Sequence, residues 1–155
     1  MNHLVEQVLG DWDLVEWRTT TLAGALVDHP FGDQPIGILS LTPNVLHVQM
    51  MRSARPSFTT PVVTAADRTG RHPGETVRAF ETFMAYSGTW ALDGDELTTT
   101  VVVGLIPEWR GSQQRRTVEV AGDRLQLRSR PRVVAGTEQI GVLDWRRRPT
   151  SGAGR

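Results

Sequence analysis

Three side chains in this sequence combine a useful functional group with a strand position from which it could act. Glu16 follows Trp12 and Leu14 in an alternating run, so the three share one face of an extended strand. If that face looks inward, Glu16 is a carboxylate lining a cavity. Burial without a partner would raise its pKa toward the range of a general acid or base. The competing reading is a salt-bridged or outward, solvated glutamate. His47 lies in an apolar strand and shares a face with Val45, Gln49 and Met51. An imidazole and an amide two residues apart could orient a carbonyl or enol and move its proton, whereas a core histidine would simply bond a backbone carbonyl. Tyr86 is the single tyrosine. Its phenol either donates to a ligand oxygen or makes a structural bond. Glu16, His47 and Tyr86 are the candidate catalytic residues.

Around them stand candidate substrate-binding residues: Trp12, Leu14, Gln49, Met51, Trp90, Trp109 and Arg116. Trp109, with Glu108, falls in a loop suited to a cavity mouth. Arg116 shares a face with Val118 and Val120, so an arginine points where apolar residues point. Asp28 and His29 are adjacent in sequence, which does not bring their side chains together, and they read as ordinary loop residues.

Other chemistries lack their parts. There is no cysteine and no lysine among the 155 residues, which removes thiolate nucleophiles, disulfides and Schiff-base catalysis. The four histidines, at 3, 29, 47 and 72, have no metal-ligand spacing, and no metal site is expected. No Gly-x-Ser-x-Gly elbow, phosphate loop or dinucleotide fingerprint occurs, so no cofactor is expected either. The 17 basic residues, all arginine, balance 17 acidic ones. A net charge of zero argues against a general attraction to nucleic acid or an anionic membrane. Arg146 to Arg148 form one local basic cluster, read as solvated. The N-terminus lacks a signal-peptide pattern and no apolar run approaches the roughly 20 residues of a membrane span, so a cytoplasmic protein is expected. Arginine-only basicity with abundant Ala, Gly, Val and Thr suggests a GC-rich bacterial genome.

These side chains must be positioned by short strands. Residues 2 to 9 carry Leu4, Val5, Val8 and Leu9 at helical spacing before Gly10, which predicts a short helix. Strands are predicted over 11–21, around 25–27, over 36–41 and 45–51, from 86 to the Asp93-Gly94-Asp95 turn, and over 96–105, 115–120, 125–128 and 138–146. Residues 53 to 74 are rich in Pro and Gly and read as a long loop of the lid or rim kind. Pro73-Gly74-Glu75 opens a predicted helix through Ala85, with Val77, Phe80, Phe83 and Met84 as its apolar stripe. Eight or nine strands at hairpin spacing, without a βαβ rhythm, predict an all-β, antiparallel up-and-down barrel in one domain over 1–148. A short N-terminal helix plugs one end and one helix lies between the halves. Residues 149–155 read as a disordered tail.

The ordered set of motifs resembles the bacterial lipocalin-like domain proteins, small calycin-type barrels. The matching pieces are Gly10-Asp11-Trp12 with Leu14-Val15 and Trp17; Gly37-x-Leu39-x-Leu41-Thr42-Pro43 leading to Gln49-Met50-Met51-Arg52; Tyr86-Ser87-Gly88-Thr89-Trp90; Pro107-x-Trp109-x-Gly111 with Gln114 and Arg116; Gly122-Asp123-Arg124-Leu125; and Leu143-x-Trp145. Together they cover most of the chain from Gly10 to Arg146. The turn at Asn44-Val45 is shorter than the family pattern, His47 stands where a small residue is usual, and Glu16 where a small polar one is. The resemblance implies an inward Trp12 and an arginine packed across a barrel tryptophan, a role assigned to Arg116 beside Trp12 or Trp90. It also implies a cavity for a small hydrophobic molecule, often a natural-product intermediate. Two functions follow as expectations. One is a cofactor-free cyclase or isomerase acting on a hydrophobic, polyketide-like intermediate. The other is a non-catalytic carrier for a small hydrophobic ligand. No nucleic-acid or membrane partner is expected, and at most a second copy of the chain in a homodimer. An interaction module without a pocket would require a barrel filled by its own side chains.

Overall fold

The structure, a computed structural model, describes residues 3–150. Ten strands follow one another: β1 (Gly10–Thr21), β2 (Leu26–Asp28), β3 (Ile36–Leu41), β4 (Val45–Met51), β5 (Phe83–Asp93), β6 (Glu96–Gly104), β7 (Gln113–Ala121), β8 (Arg124–Ser129), β9 (Arg132–Val134) and β10 (Thr137–Arg147). All but β2 and β9 form one antiparallel circuit that closes where β10 pairs with β1. Closure pairs the long strand edges that an open sheet would expose. The short strands β2 and β9 extend the sheet beside β1 and β10. Two helices accompany the barrel, α1 (His3–Val8) and α2 (Pro73–Glu81). The expected all-β lipocalin-like architecture is therefore the observed one.

Two local expectations change. The second helix stops at Glu81 rather than Ala85, because Phe83 and Met84 pair with Met51 and Met50 across the β4–β5 ladder. Val77 and Phe80 stay about half exposed on the shortened helix. The connection expected over 131–136 contains β9, formed by Arg132 to Val134 against β10. Most of the predicted tail, 151–155, lies outside the described residues.

The end of the barrel next to α1 is filled. Val8, Trp12, Leu39, Leu125 and Trp145 are almost completely buried there. Trp12 Nε1 donates to the Val8 carbonyl at 3.0 Å, which ties the helix to the first strand. The Arg147 guanidinium sits 4.1 Å from the Trp12 ring centroid and donates to the carbonyls of Leu9 and Gln7. Arg147, not Arg116, thus makes the cation–π contact with the barrel tryptophan. Gly10 has φ +118°, and a Cβ there would meet Arg147 Nη1 at 3.0 Å. The glycine of the second Gly-x-Trp has a different reason: a Cβ on Gly88 would lie 1.9 Å from the Thr100 carbonyl oxygen, beside a bulge between β5 and β6. Trp90, two residues on, donates its indole N–H to Thr42 O at 2.8 Å and clasps the β3–β4 turn at this same end.

Candidate functional site

The site begins with a break in alternation. Trp12 and Leu14 face inward, paired with Arg147 and Trp145 of β10, but the next pair is Glu16 with Asp144. Val15 is the extra residue of a β-bulge, and it is half exposed. The bulge turns Glu16 to the outside and brings Trp17 inward, opposite Leu143. Glu16 therefore does not line the interior with Trp12 and Leu14. The face expected for it is taken by Trp17, whose ring packs edge-on against Phe31 at 4.7 Å. Phe31 is buried and comes from the loop between β2 and β3, so this loop reaches into the barrel mouth.

The facing of β4 is also settled by its partners. Leu46, Val48 and Met50 are buried, so Val45, His47, Gln49 and Met51 look outward. His47 is exposed and its Nδ1 lies 2.8 Å from Ser87 Oγ, in an outer row with Ser40. Apolar residues occupy both faces of this strand. The barrel interior selects the face where all three are apolar, and His47, Gln49 and Met51 consequently leave the cavity wall.

Tyr86 is different. It pairs with inward Val48 on one side and with Gly104 on the other, and its ring meets Trp109 edge-on at 5.6 Å. Trp109 belongs to a short helical turn, Pro107–Trp109, between β6 and β7. Gly104 leaves room for the ring, since a Cβ there would come within 3.0 Å of Tyr86 Cβ. Burial pushes the Tyr86 phenol above its ordinary range, and the positive charge of Arg116 pulls the other way. Arg116 enters the interior from β7, paired with buried Leu97 and with Ser129. Its Nη1 donates to the Arg115 carbonyl at 2.8 Å. Among the described residues it meets no carboxylate, and the Tyr86 hydroxyl makes no hydrogen bond.

The two halves of the barrel therefore differ. Around α1 Val8, Trp12, Leu125 and Trp145 are almost completely buried while Leu9, Trp90, Leu92 and Val120 are partly buried, and toward the other end Trp17, Met84, Tyr86 and Arg116 retain some solvent contact. Glycines at inward positions, Gly104 opposite Tyr86 and Gly141 opposite Thr19, withhold side-chain volume there. This half, which α1 does not plug, is bordered by the long connections 22–35, 52–72 and 105–112. Leu14 lies against Gly37. Trp145, also inward, has an indole Nε1 that is buried and without a hydrogen-bond partner among the described residues. No aspartate, glutamate or histidine occupies an inward position of the eight barrel strands. Among the described residues no group of three or more histidine and carboxylate side chains gathers to hold a metal ion. No helix among them is long and apolar enough to cross a membrane.

The outward carboxylate has its own company. Arg18 Nη1 donates to Glu16 at 2.9 Å and to Asp144, and His29 Nε2 lies 3.0 Å from the other Glu16 oxygen. Gln126 donates to Asp144 at 2.7 Å. This network borders an external groove of about 400 Å³ that also includes Arg124, Arg128 and Glu119. Every carboxylate in its centre is matched by an arginine, an amide or an imidazole. It fastens the loop bearing His29 and Phe31 to the barrel wall, a role that adjacency of Asp28 and His29 in sequence did not disclose.

Residues 9–148 match the sequence profile of the lipocalin-like domain. The chain belongs to the lipocalin-like domain family. It is also similar to a protein of Aspergillus oryzae (strain ATCC 42149 / RIB 40) named as the 4'-hydroxy-3'-methoxypropiophenone carrier protein ppsC. The two are 34% identical over 80 residues, which cover 46% of this chain and 72% of the relative. In this lipocalin-like chain Tyr86 meets Trp109 and lies within electrostatic reach of inward Arg116, while Trp17, turned inward by the bulge, meets Phe31. Trp12 and Trp90 belong to the closed end, and Glu16, His47, Gln49 and Met51 to the outer surface.

Proposed function

We propose that this lipocalin-like protein is a carrier that holds a small aromatic, oxygen-bearing molecule in the open half of its barrel. The observation that carries the reading is an inward arginine that meets no carboxylate among the described residues, within electrostatic reach of the Tyr86 phenol, in an interior that also presents tryptophan, methionine, leucine, valine and threonine. Trp17 and Trp109 offer ring faces and edges to an aromatic ligand. Arg116 and Tyr86 offer donors to one of its oxygens, the usual division of labour in a small-molecule site. The relative named as an aryl-ketone carrier supports that ligand class and a natural-product setting. A cytoplasmic location in a bacterial cell and the lack of any cofactor remain part of the proposal on sequence grounds.

A second reading, an isomerase or cyclase, is favoured by the same pair. Tyr86 could protonate an enolate that Arg116 stabilises, without Glu16 or His47. Calorimetric titration with 4'-hydroxy-3'-methoxypropiophenone, followed by product analysis of the mixture, separates the two. The carrier reading predicts saturable one-to-one binding and unchanged ligand. Arg116→Gln should weaken it by roughly 10- to 100-fold, the value of a charge-assisted hydrogen bond. His47→Ala should bind as the parent does. Binding that is indifferent to Arg116 would reject the site, and a ligand converted by the parent but not by Tyr86→Phe would favour the enzyme.

A further inference from the structure

Neighbouring arginines on β7 meet opposite fates. Arg115 faces outward and its Nη1 lies 2.8 Å from Glu96 Oε1. Glu96 also pairs with Arg130 at 2.6 Å, so one carboxylate serves both outer arginines. Arg116 faces inward, where among the described residues it donates to a backbone carbonyl and no acid is available from the barrel strands that surround it. A guanidinium keeps its proton here, and Arg116, partly buried, leaves donors free for an anionic oxygen that reaches it. Tyr86 has the complementary character, since burial keeps its phenol protonated and therefore a donor.

We infer that the barrel interior takes its aryl ketone as a phenolate, with the ionised oxygen held between the Arg116 guanidinium and the Tyr86 hydroxyl. This rests on the carrier reading and adds the ionisation state of the cargo. The ligand's O–H bond breaks on binding, both electrons stay on the ligand oxygen, and the proton passes to solvent. An aryl ketone with a para hydroxyl suits such a site, because its negative charge delocalises into the carbonyl while the rings of Trp17 and Trp109 cover its faces or edges. The ligand supplies the counter-ion that the protein omits.

The direction of the ligand's ionisation distinguishes this from simple burial. An apolar pocket raises the pKa of a bound phenol, whereas an unpaired arginine lowers it. The probe is 4'-hydroxy-3'-methoxypropiophenone, whose absorption moves to longer wavelength on ionisation, with 3',4'-dimethoxypropiophenone as the form that cannot ionise. With the intact chain, the bound probe should ionise at least one pH unit below the free compound, a tenfold change. The dimethoxy compound should bind at least tenfold more weakly above that midpoint. Arg116→Lys should keep the downward shift and Arg116→Gln should abolish or reverse it. A bound probe that ionises at or above its free value overturns the inference while leaving the carrier reading in place, as does a downward shift that survives in Arg116→Gln. Failure of both compounds to bind overturns the two together. The sign measured on the parent chain decides the matter even if the glutamine variant does not fold.

Discussion

At the scale of single residues, the barrel separates side chains that stabilise from side chains left available. Arg147 covers the Trp12 ring and donates to two carbonyls around α1. Replacing it with Met keeps a long apolar stem but loses these interactions, and unfolding stability should fall by about 2 to 4 kcal/mol in a denaturant titration. Ligand affinity of the folded variant should be unchanged, because the contact lies at the filled end. Arg116→Met is the converse. It removes an inward, partly exposed charge that meets no carboxylate among the described residues, so stability should change by roughly 1 kcal/mol or less while affinity falls. A large loss of stability in Arg116→Met would show that Arg116 is part of the scaffold. Sequence reasoning recognised that an arginine would cover a barrel tryptophan but chose the wrong one. Arg116 lies in a recognisable alternation with Val118 and Val120, whereas Arg147 is one of three consecutive arginines, and nothing local distinguishes the one that stacks.

At the scale of elements, the bulge in β1 decides which side chains meet. Alternation put Trp12, Leu14 and Glu16 on one face, and this holds for the first two. One extra residue, Val15, then reverses the pattern, and no feature of the residue types marks it. Strand positions, the β3–β4 hairpin and both Gly-x-Trp starts were legible because turn residues and apolar alternation are local signals. Facing was legible only where one side of a strand was clearly apolar. In β4 one face, Leu46, Val48 and Met50, is wholly apolar and the other mixes Val45 and Met51 with His47 and Gln49, so the outward placement of His47 follows once the two faces are compared. The loop over 52–72 makes a separate prediction. Asp67 is held below the ordinary carboxylate range by hydrogen bonds from Thr64, and Glu75 by those from Thr59. A carboxylate whose folded-state pKa is depressed contributes its stability above the unfolded-state value and loses it as the pH falls through the folded-state value. Below about pH 4, the ordinary carboxylate range, this loop should therefore loosen ahead of the barrel. Amide exchange at Thr59 and Thr64, corrected for intrinsic rates, should accelerate there while the β10–β1 seam stays protected. Simultaneous loss of protection in both would contradict this order.

At the scale of the molecule, the barrel is closed and packed at one end and bordered by three long connections at the other. Phe31 on Trp17 and Trp109 on Tyr86 place two of these connections against the interior. On the carrier reading, entry of a ligand requires the connections to move while the strands do not. Phe31→Ala should open the mouth and accelerate ligand association and release together, by several-fold in stopped-flow tryptophan fluorescence, with smaller effects on melting than Trp12→Ala. The latter removes the ring that α1, β1 and Arg147 enclose and should cost about 3 to 5 kcal/mol. Equal kinetics for parent and Phe31→Ala would assign entry to another route. The most direct test of the central claim is the location of the ligand itself. A crystal structure of the chain with 4'-hydroxy-3'-methoxypropiophenone is predicted to show the aromatic ring inside the open half, against Trp17 and Trp109, with an oxygen within hydrogen-bonding distance of both Arg116 and Tyr86. Ligand density in the external groove beside Glu16 and Arg128, or an interior closed by its own side chains, would contradict it.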